Sequence, residues 1–160
     1  QRNQVAFLCG LLGGDAVEVD PLFRLRGVRL TDLRRRLFVA LRSAGRPLSY
    51  QEIIAGLEPK VDKVTLYRNL DVLLTGRLIH RVLGLDGAFR YCANPASQCG
   101  CPGDHPHGLC LRCGRMWCFD GEPMPRVMVP EGFKVEGKQM VVFGICADCM
   151  RKDREGLSSD

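Results

Sequence analysis

The stretch SYQEIIAGLEPKVDKVTLYRNLDVLLTG, residues 49–76, decides the fold. Ser49-x-x-Glu52 is a capping box. The serine hydroxyl and the glutamate carboxylate satisfy amide donors that a helix leaves unpaired at its start. Tyr50, Ile53, Ile54 and Leu57 then recur at helical spacing as an apolar stripe, and Pro59 ends the helix. Asp62 is a good cap for the next one, in which Leu66, Leu70 and Leu73 point inward. Val64, Thr65, Arg68 and Asp71 are left outward, and Gly76 closes the helix. Two short helices joined by a tight turn, the second with polar residues near its N-terminus, form a helix-turn-helix pattern.

Upstream, Thr31 is a plausible N-cap for a helix that sets Leu33, Leu37, Phe38 and Leu41 against Arg34, Arg35 and Arg42. Gly45-Arg46-Pro47 stops it. Downstream, the β-like runs 78–83 and 88–92 flank Gly84-Leu85-Asp86-Gly87 and read as a hairpin, the wing. Residues 21–92 are therefore expected to be a winged-helix domain of three helices and a hairpin. Residues 1–20 form an extension, whose apolar stretch 5–12 is too short and too weakly flanked for a signal peptide. Residues 93–104, ANPASQCGCPGD, read as a hinge. Residues 105–150 form a second domain with strand-like runs at 108–112, 115–119 and 139–143. Pro123, Pro125 and Pro130 make a long helix between them improbable. Residues 151–160 read as a charged tail. The expected class is α+β: an N-terminal winged helix-turn-helix domain and a small C-terminal α/β domain.

The 160 residues are 46% hydrophobic and 26% charged, enough apolar content for a core and too little charge for wholesale disorder. No apolar run reaches membrane-span length, so a soluble protein without a membrane partner is expected. The net charge of +5 is unevenly spread. Residues 21–90 carry 14 Lys and Arg against 6 Asp and Glu, whereas residues 91–160 carry 8 against 9. A basic module beside a neutral one suits a polyanion partner, against the plainer reading of a solvated basic face.

Nine cysteines, an odd number, argue against a fully paired secreted framework. Cys110-x-x-Cys113 and Cys146-x-x-Cys149 supply four thiolates from two turns, which suits a closed tetrahedral structural zinc in a reducing cytosol. Redox chemistry is the alternative, but no thioredoxin-like β-α-β context accompanies the pairs. A second set comprises His80, Cys92, His105, His107 and Cys118, including all three histidines of the chain. Singly, each is more often structural than a ligand. Gathered around wing, hinge and following strand, they suit Zn(II) better than the harder Mn(II) or Fe(II). Cys99 and Cys101 are alternative ligands, a redox-sensitive pair, or plain loop residues, and Cys9 reads as packing.

These residues resemble the ferric uptake regulator family of bacterial metal-sensing repressors. Gly27-Val28-Arg29-Leu30-Thr31 with Arg34 looks like the family's G-x-R-x-T-x-x-R, and Val64-Thr65-Leu66-Tyr67-Arg68-Asn69-Leu70 like its T-V-Y-R-x-L recognition helix. His105-x-His107-x-x-Cys110-x-x-Cys113-Gly114 matches H-x-H-x-x-C-x-x-C-G. Gly132-Phe133 and Phe143-Gly144-x-Cys146-x-x-Cys149 match its closing strands and second knuckle. The resemblance implies a DNA-binding domain, a hinge, a C-terminal dimerisation domain and a corepressor metal at the hinge. It implies a cytoplasmic homodimer on palindromic double-stranded DNA. Tyr67 and Arg68 would meet bases in the major groove and Arg29 the minor groove, with Lys63 and Thr65 in the same DNA-contacting set. Cys92, closing Phe89-Arg90-Tyr91-Cys92, looks like the zinc uptake regulator branch, where a cysteine there is a sensing ligand. Cys118 stands where the family usually has a metal-binding glutamate, and Lys138 where many members have a histidine.

The expected function is thus a zinc-responsive transcriptional repressor with two Zn2+ per subunit. One is structural, on Cys110, Cys113, Cys146 and Cys149. The other is sensing, on His80, Cys92, Cys118 and either His107, which spacing favours, or His105. The plainer alternative leaves Cys118 as a buried strand residue, with Asp120 or a hinge cysteine completing the shell. The rivals are an iron or peroxide sensor of the same family and a zinc-binding redox or buffering protein without DNA binding. An enzyme is not expected: a zinc deaminase needs H-x-E with P-C-x-x-C, no nucleotide loop or Ser/His/Asp arrangement is visible, and no organic substrate is implied.

Overall fold

The structure is a computed structural model and describes residues 18–94, 105–119 and 121–157. Helix α1, Val19–Leu25, comes first. It was not among the expected helices, and its N-cap Glu18 makes no side-chain capping bond. Its buried residues, Val19 and Phe23, join the core, Phe23 edge-on to Phe38. Helix α2, Asp32–Ala44, starts where Thr31 accepts a hydrogen bond from the Arg34 amide and stops at Gly45, whose φ of 59° is the left-handed conformation a glycine adopts without penalty. A two-residue strand, β1 (Leu48–Ser49), precedes α3, Tyr50–Gly56. Both bonds of the expected capping box are present there: Glu52 N–H to Ser49 Oγ at 3.3 Å and Ser49 N–H to Glu52 Oε2 at 2.8 Å. Helix α4, Lys63–Thr75, is capped by Asp62, which accepts from the Thr65 amide at 2.9 Å.

The inward face of α4 is as expected: Leu66, Leu70 and Leu73 are fully buried. They meet Leu37, Phe38 and Leu41 of α2 and Ile53 of α3 in one cluster. Each such side chain contributes about 1.5–3 kcal/mol relative to an exposed one. The wing strands are β2, Ile79–Leu83, which starts one residue later than expected, and β3, Phe89–Ala93, displaced by one residue from the expected run. The sheet order is β1-β3-β2, all antiparallel, and the register sets His80 opposite Cys92.

The C-terminal half holds β4 (His107–Cys110), β5 (Met116–Cys118), β6 (Val141–Gly144) and helix α5 (Ala147–Leu157). The sheet order is β5-β4-β6, with β4 antiparallel to β5 and parallel to β6. His107 lies opposite Cys118. Gly108 lets the Phe119 ring lie close over β4: a Cβ there would stand 2.5 Å from it, and the ring would have to shift. The proline-bearing stretch 121–140 has no helix or strand. Cys149 sits in the first turn of α5 rather than in a free turn, and the expected tail continues that helix to Leu157.

Several contacts among the described residues join the halves. Val82 of β2 packs with Leu109 and Met116. The Gln139 side-chain amide pairs with the backbone of Leu83, accepting from its N–H at 2.9 Å and donating to its carbonyl at 2.7 Å. Arg90, only 4% exposed, donates from Nε to the Gly114 carbonyl at 3.2 Å while its two Nη atoms hold Asp86 at 3.0 and 2.9 Å.

Candidate metal centres and nucleic-acid face

Four thiols meet where the turn after β4 faces the start of α5. The sulfurs of Cys110, Cys113, Cys146 and Cys149 all lie within 4.8 Å of one another. Cys110 and Cys149 are 3.9 Å apart, as are Cys113 and Cys146. Four sulfurs about 2.3 Å from one zinc would be separated by about 3.8 Å. The backbone N–H groups of Cys113 and Cys146 point at Cys110 and hold its thiol down to about 6, in the thiolate form a metal requires. Cys149 is pushed up by burial and by its thiol neighbours, as expected of sulfurs that cannot all ionise together without a cation.

The second cluster lies between the wing and the C-terminal sheet. Ligand atoms of His80, His105, His107 and Cys118 fall within 4.8 Å of one another. Cys92 is not within reach of all four, but its Sγ is 3.5 Å from that of Cys118. The geometry follows from two cross-strand pairs, His80 with Cys92 and His107 with Cys118, brought face to face. His80 Nε2 is 3.3 Å from His107 Nε2. Asn94 orients the first ring. Its Nδ2 donates to the Arg77 carbonyl at 2.8 Å, so its Oδ1, 2.7 Å from His80 Nδ1, acts as acceptor. His80 therefore carries its proton on Nδ1 and presents a lone pair on Nε2.

His107 is buried, and its Nδ1 has no hydrogen-bond partner. Burial, then the neighbouring charges of His105 and His80, push this imidazole down to about 3, so it is neutral at pH 7. An orphaned buried nitrogen beside imidazoles and thiols fits a soft or borderline metal. No carboxylate belongs to the cluster among the described residues. Both His105 and His107 reach it, so spacing alone did not separate them. Asp120, Cys99, Cys101 and Cys9 lie outside the described residues.

Helix α4 exposes Lys63 and Arg68, and Arg29 is exposed before α2. Tyr67 stacks on Tyr50, ring centroids 5.4 Å apart, with Lys63 Nζ 5.8 and 5.9 Å from the two rings. Thr65 is engaged locally, its hydroxyl donating to Asp62 at 2.6 Å. Asn94 and Tyr50 are the neighbours that sequence reasoning did not single out for these sites. Their signals were weak: an asparagine two residues past Cys92, and a tyrosine assigned to an apolar stripe.

The ferric uptake regulator family model matches residues 25–143. The chain is 25% identical over 134 residues to the peroxide operon regulator of Bacillus subtilis, across 79% of this chain and 88% of that protein. It is 27% identical over 138 residues to the ferric uptake regulation protein of Campylobacter jejuni, across 80% and 83%. A solved structure described as a zinc uptake regulator complexed with zinc and DNA shares the fold, with a TM-score of 0.61 and 19% identity over 94% of this chain and 97% of that one.

Proposed function

This chain belongs to the ferric uptake regulator family, whose members are metal-responsive transcription regulators, and on that premise we propose that it is a zinc-responsive DNA-binding repressor with zinc as corepressor. The observation that carries the choice of metal is the donor set between wing and sheet: three imidazoles, the Cys118 thiol, and the Cys92 thiol 3.5 Å from it. Iron and manganese favour sites richer in carboxylate oxygen.

The structural site would be Cys110, Cys113, Cys146 and Cys149, giving two zinc ions per subunit. In the sensing site, His80 and Cys92 come from the wing, and His105, His107 and Cys118 from the other half. Bound zinc supplies one positive centre on which donors from both halves converge. By turning toward it, these side chains fix the wing against the C-terminal sheet, and with it the angle of α4. Metal and DNA thus favour the same arrangement and raise each other's affinity. Arg68, Tyr67, Lys63, Thr65 and Arg29 form the proposed DNA-contacting set, Arg68 on base edges and Lys63 on phosphate.

A homodimer on a palindromic operator is part of the proposal. It is supported by the edge strand β6, where Val142 and Phe143 are exposed beside Ile145. The curated relatives, a peroxide operon regulator and a ferric uptake regulation protein, keep an iron or peroxide sensor as the second reading.

The test is metal analysis of purified Cys92→Ser and Cys118→Ser proteins, coupled to zinc titration of DNA binding. Each variant is expected to hold one zinc per subunit instead of two, to lose zinc-dependent DNA retention and to stay dimeric. A Cys118→Ser protein with two zincs and a normal response refutes the assignment. Tighter DNA retention with Fe(II) than with Zn(II) refutes the choice of metal.

A further inference from the structure

We propose that Cys92 and Cys118 are an oxidative modification site: a thiol pair that a peroxide converts reversibly into a disulfide bridging the wing and the C-terminal sheet, expelling the sensing zinc. The expulsion rests on the zinc reading above; the disulfide does not.

The two sulfurs are already 3.5 Å apart and belong to strands of different sheets, β3 and β5. A disulfide needs about 2.05 Å between sulfurs, so about 1.5 Å must close. The His80–His107 approach at 3.3 Å joins the neighbouring strands, β2 and β4, beside it. The sulfurs differ in access. Cys92 is buried, whereas Cys118 is half-buried and open to a small oxidant. This assigns the order of steps. The Cys118 thiolate attacks one peroxide oxygen, breaks the O–O bond and becomes a sulfenic acid, releasing hydroxide. The Cys92 thiol then attacks that sulfur, forms the S–S bond and displaces the sulfenic oxygen as water. In total two thiols and one hydrogen peroxide give one disulfide and two waters. From the metal-bound form, two solvent protons replace the thiol protons. A dithiol reductant reverses the change by exchange. Once bonded, neither sulfur is an anionic ligand. The shell is reduced to imidazoles, which hold zinc less tightly than a shell with two thiolates. The disulfide also fastens the wing to the sheet whether or not metal is present, so their mutual placement no longer reports zinc.

The experiment treats the purified full chain with hydrogen peroxide at two zinc loadings, one and two per subunit. It follows intact mass, zinc release to a chromophoric chelator and disulfide-linked peptides. The expected result at both loadings is a loss of 2 Da and a Cys92–Cys118 linked peptide, with one zinc released only from the doubly loaded protein and both changes undone by dithiothreitol. Cys92→Ser should instead stop at a trapped sulfenic acid on Cys118, read as a gain of 16 Da or as a dimedone adduct. Cys92 and Cys118 still alkylatable while Cys110, Cys113, Cys146 and Cys149 cross-link would overturn the proposal, as would a linked peptide that forms without any zinc leaving a protein shown to hold two. A chain that never takes up a second zinc, yet forms the linked peptide, upholds the thiol pair and refutes the zinc reading instead.

Discussion

Replacing Arg90 by methionine keeps the buried stem and removes the donors that tie the wing to the turn after β4. Arg90 makes a charge-assisted bond to the half-buried Gly114 carbonyl at 3.2 Å. Such bonds contribute about 1.5–3 kcal/mol. Its pair with Asp86 adds less, because the Asp86 side chain is 52% exposed and the attraction is screened; exposed pairs contribute about 0–1 kcal/mol. Arg90→Met should therefore cost about 2–3 kcal/mol. With a urea slope of about 2 kcal/mol/M, the midpoint falls by about 1–1.5 M. The single tryptophan, Trp117 on β5, reports the C-terminal sheet by fluorescence, and far-ultraviolet circular dichroism reports the helices. Both midpoints should drop, since Arg90 joins the two halves. The acid limb adds a second signature. Arg90 hydrogen bonds hold Asp86 down to about 2 from its ordinary 3.8. A lowered carboxyl pKa stabilises the fold above 3.8, and that contribution disappears as pH falls toward 2. The gap between wild type and variant should thus narrow from pH 4 downward, leaving the Gly114 part. A midpoint shift below about 0.25 M, or one confined to the helical signal, refutes the reasoning.

Arg68→Ala should weaken specific DNA binding by roughly 1–3 kcal/mol and relax sequence preference, measured by competition with mutated operators; unchanged preference displaces α4 from base contact. Cys113→Ser should unfold or monomerise the C-terminal half, because closed zinc sites supply folding energy directly; a soluble zinc-responsive dimer with native Trp117 emission is the refuting result. With the sensing site metal-free, stability should decline as pH falls below 6.5 toward 3, since His107 is pushed down to about 3 and the unfolded chain binds the extra proton first. His107→Gln should flatten that slope in urea titrations at pH 7.5 and 5; equal slopes argue against the buried neutral imidazole.

The elements legible in the sequence were those with local chemistry at their ends. Thr31, Ser49 with Glu52, and Asp62 each announce a helix through a hydrogen bond made within three residues. Two C-x-x-C pairs announce a tetrahedron in the same way. Helix α1 escaped because Glu18 offers no capping bond and Pro21 stands in its first turns. Helix α5 was mistaken for a tail because Ala147–Leu157 is mostly charged; Cys149, buried at the thiol cluster, is what sets its first turn against the rest of the half. The members of the second cluster could be named, but not their arrangement. That depends on Val82, Arg90 and Gln139 seating the wing on the other sheet, and none of these residues carries a local pattern that says so. The approach of Cys92 to Cys118 is a product of the same docking.

The cross-strand register has a consequence for how such a chain can drift. Side chains alternate faces along a strand, so an extra or missing residue between His80 and Leu83, or between Phe89 and Cys92, turns one donor away from its opposite number. The five residues from Gly84 to Ala88 are under no such parity constraint, because a hairpin turn can lengthen or shorten without altering which residues face each other. Lineages could therefore lengthen or shorten the wing tip while leaving the donor set intact, whereas a single codon gained or lost a few positions away would turn a donor out of the cluster.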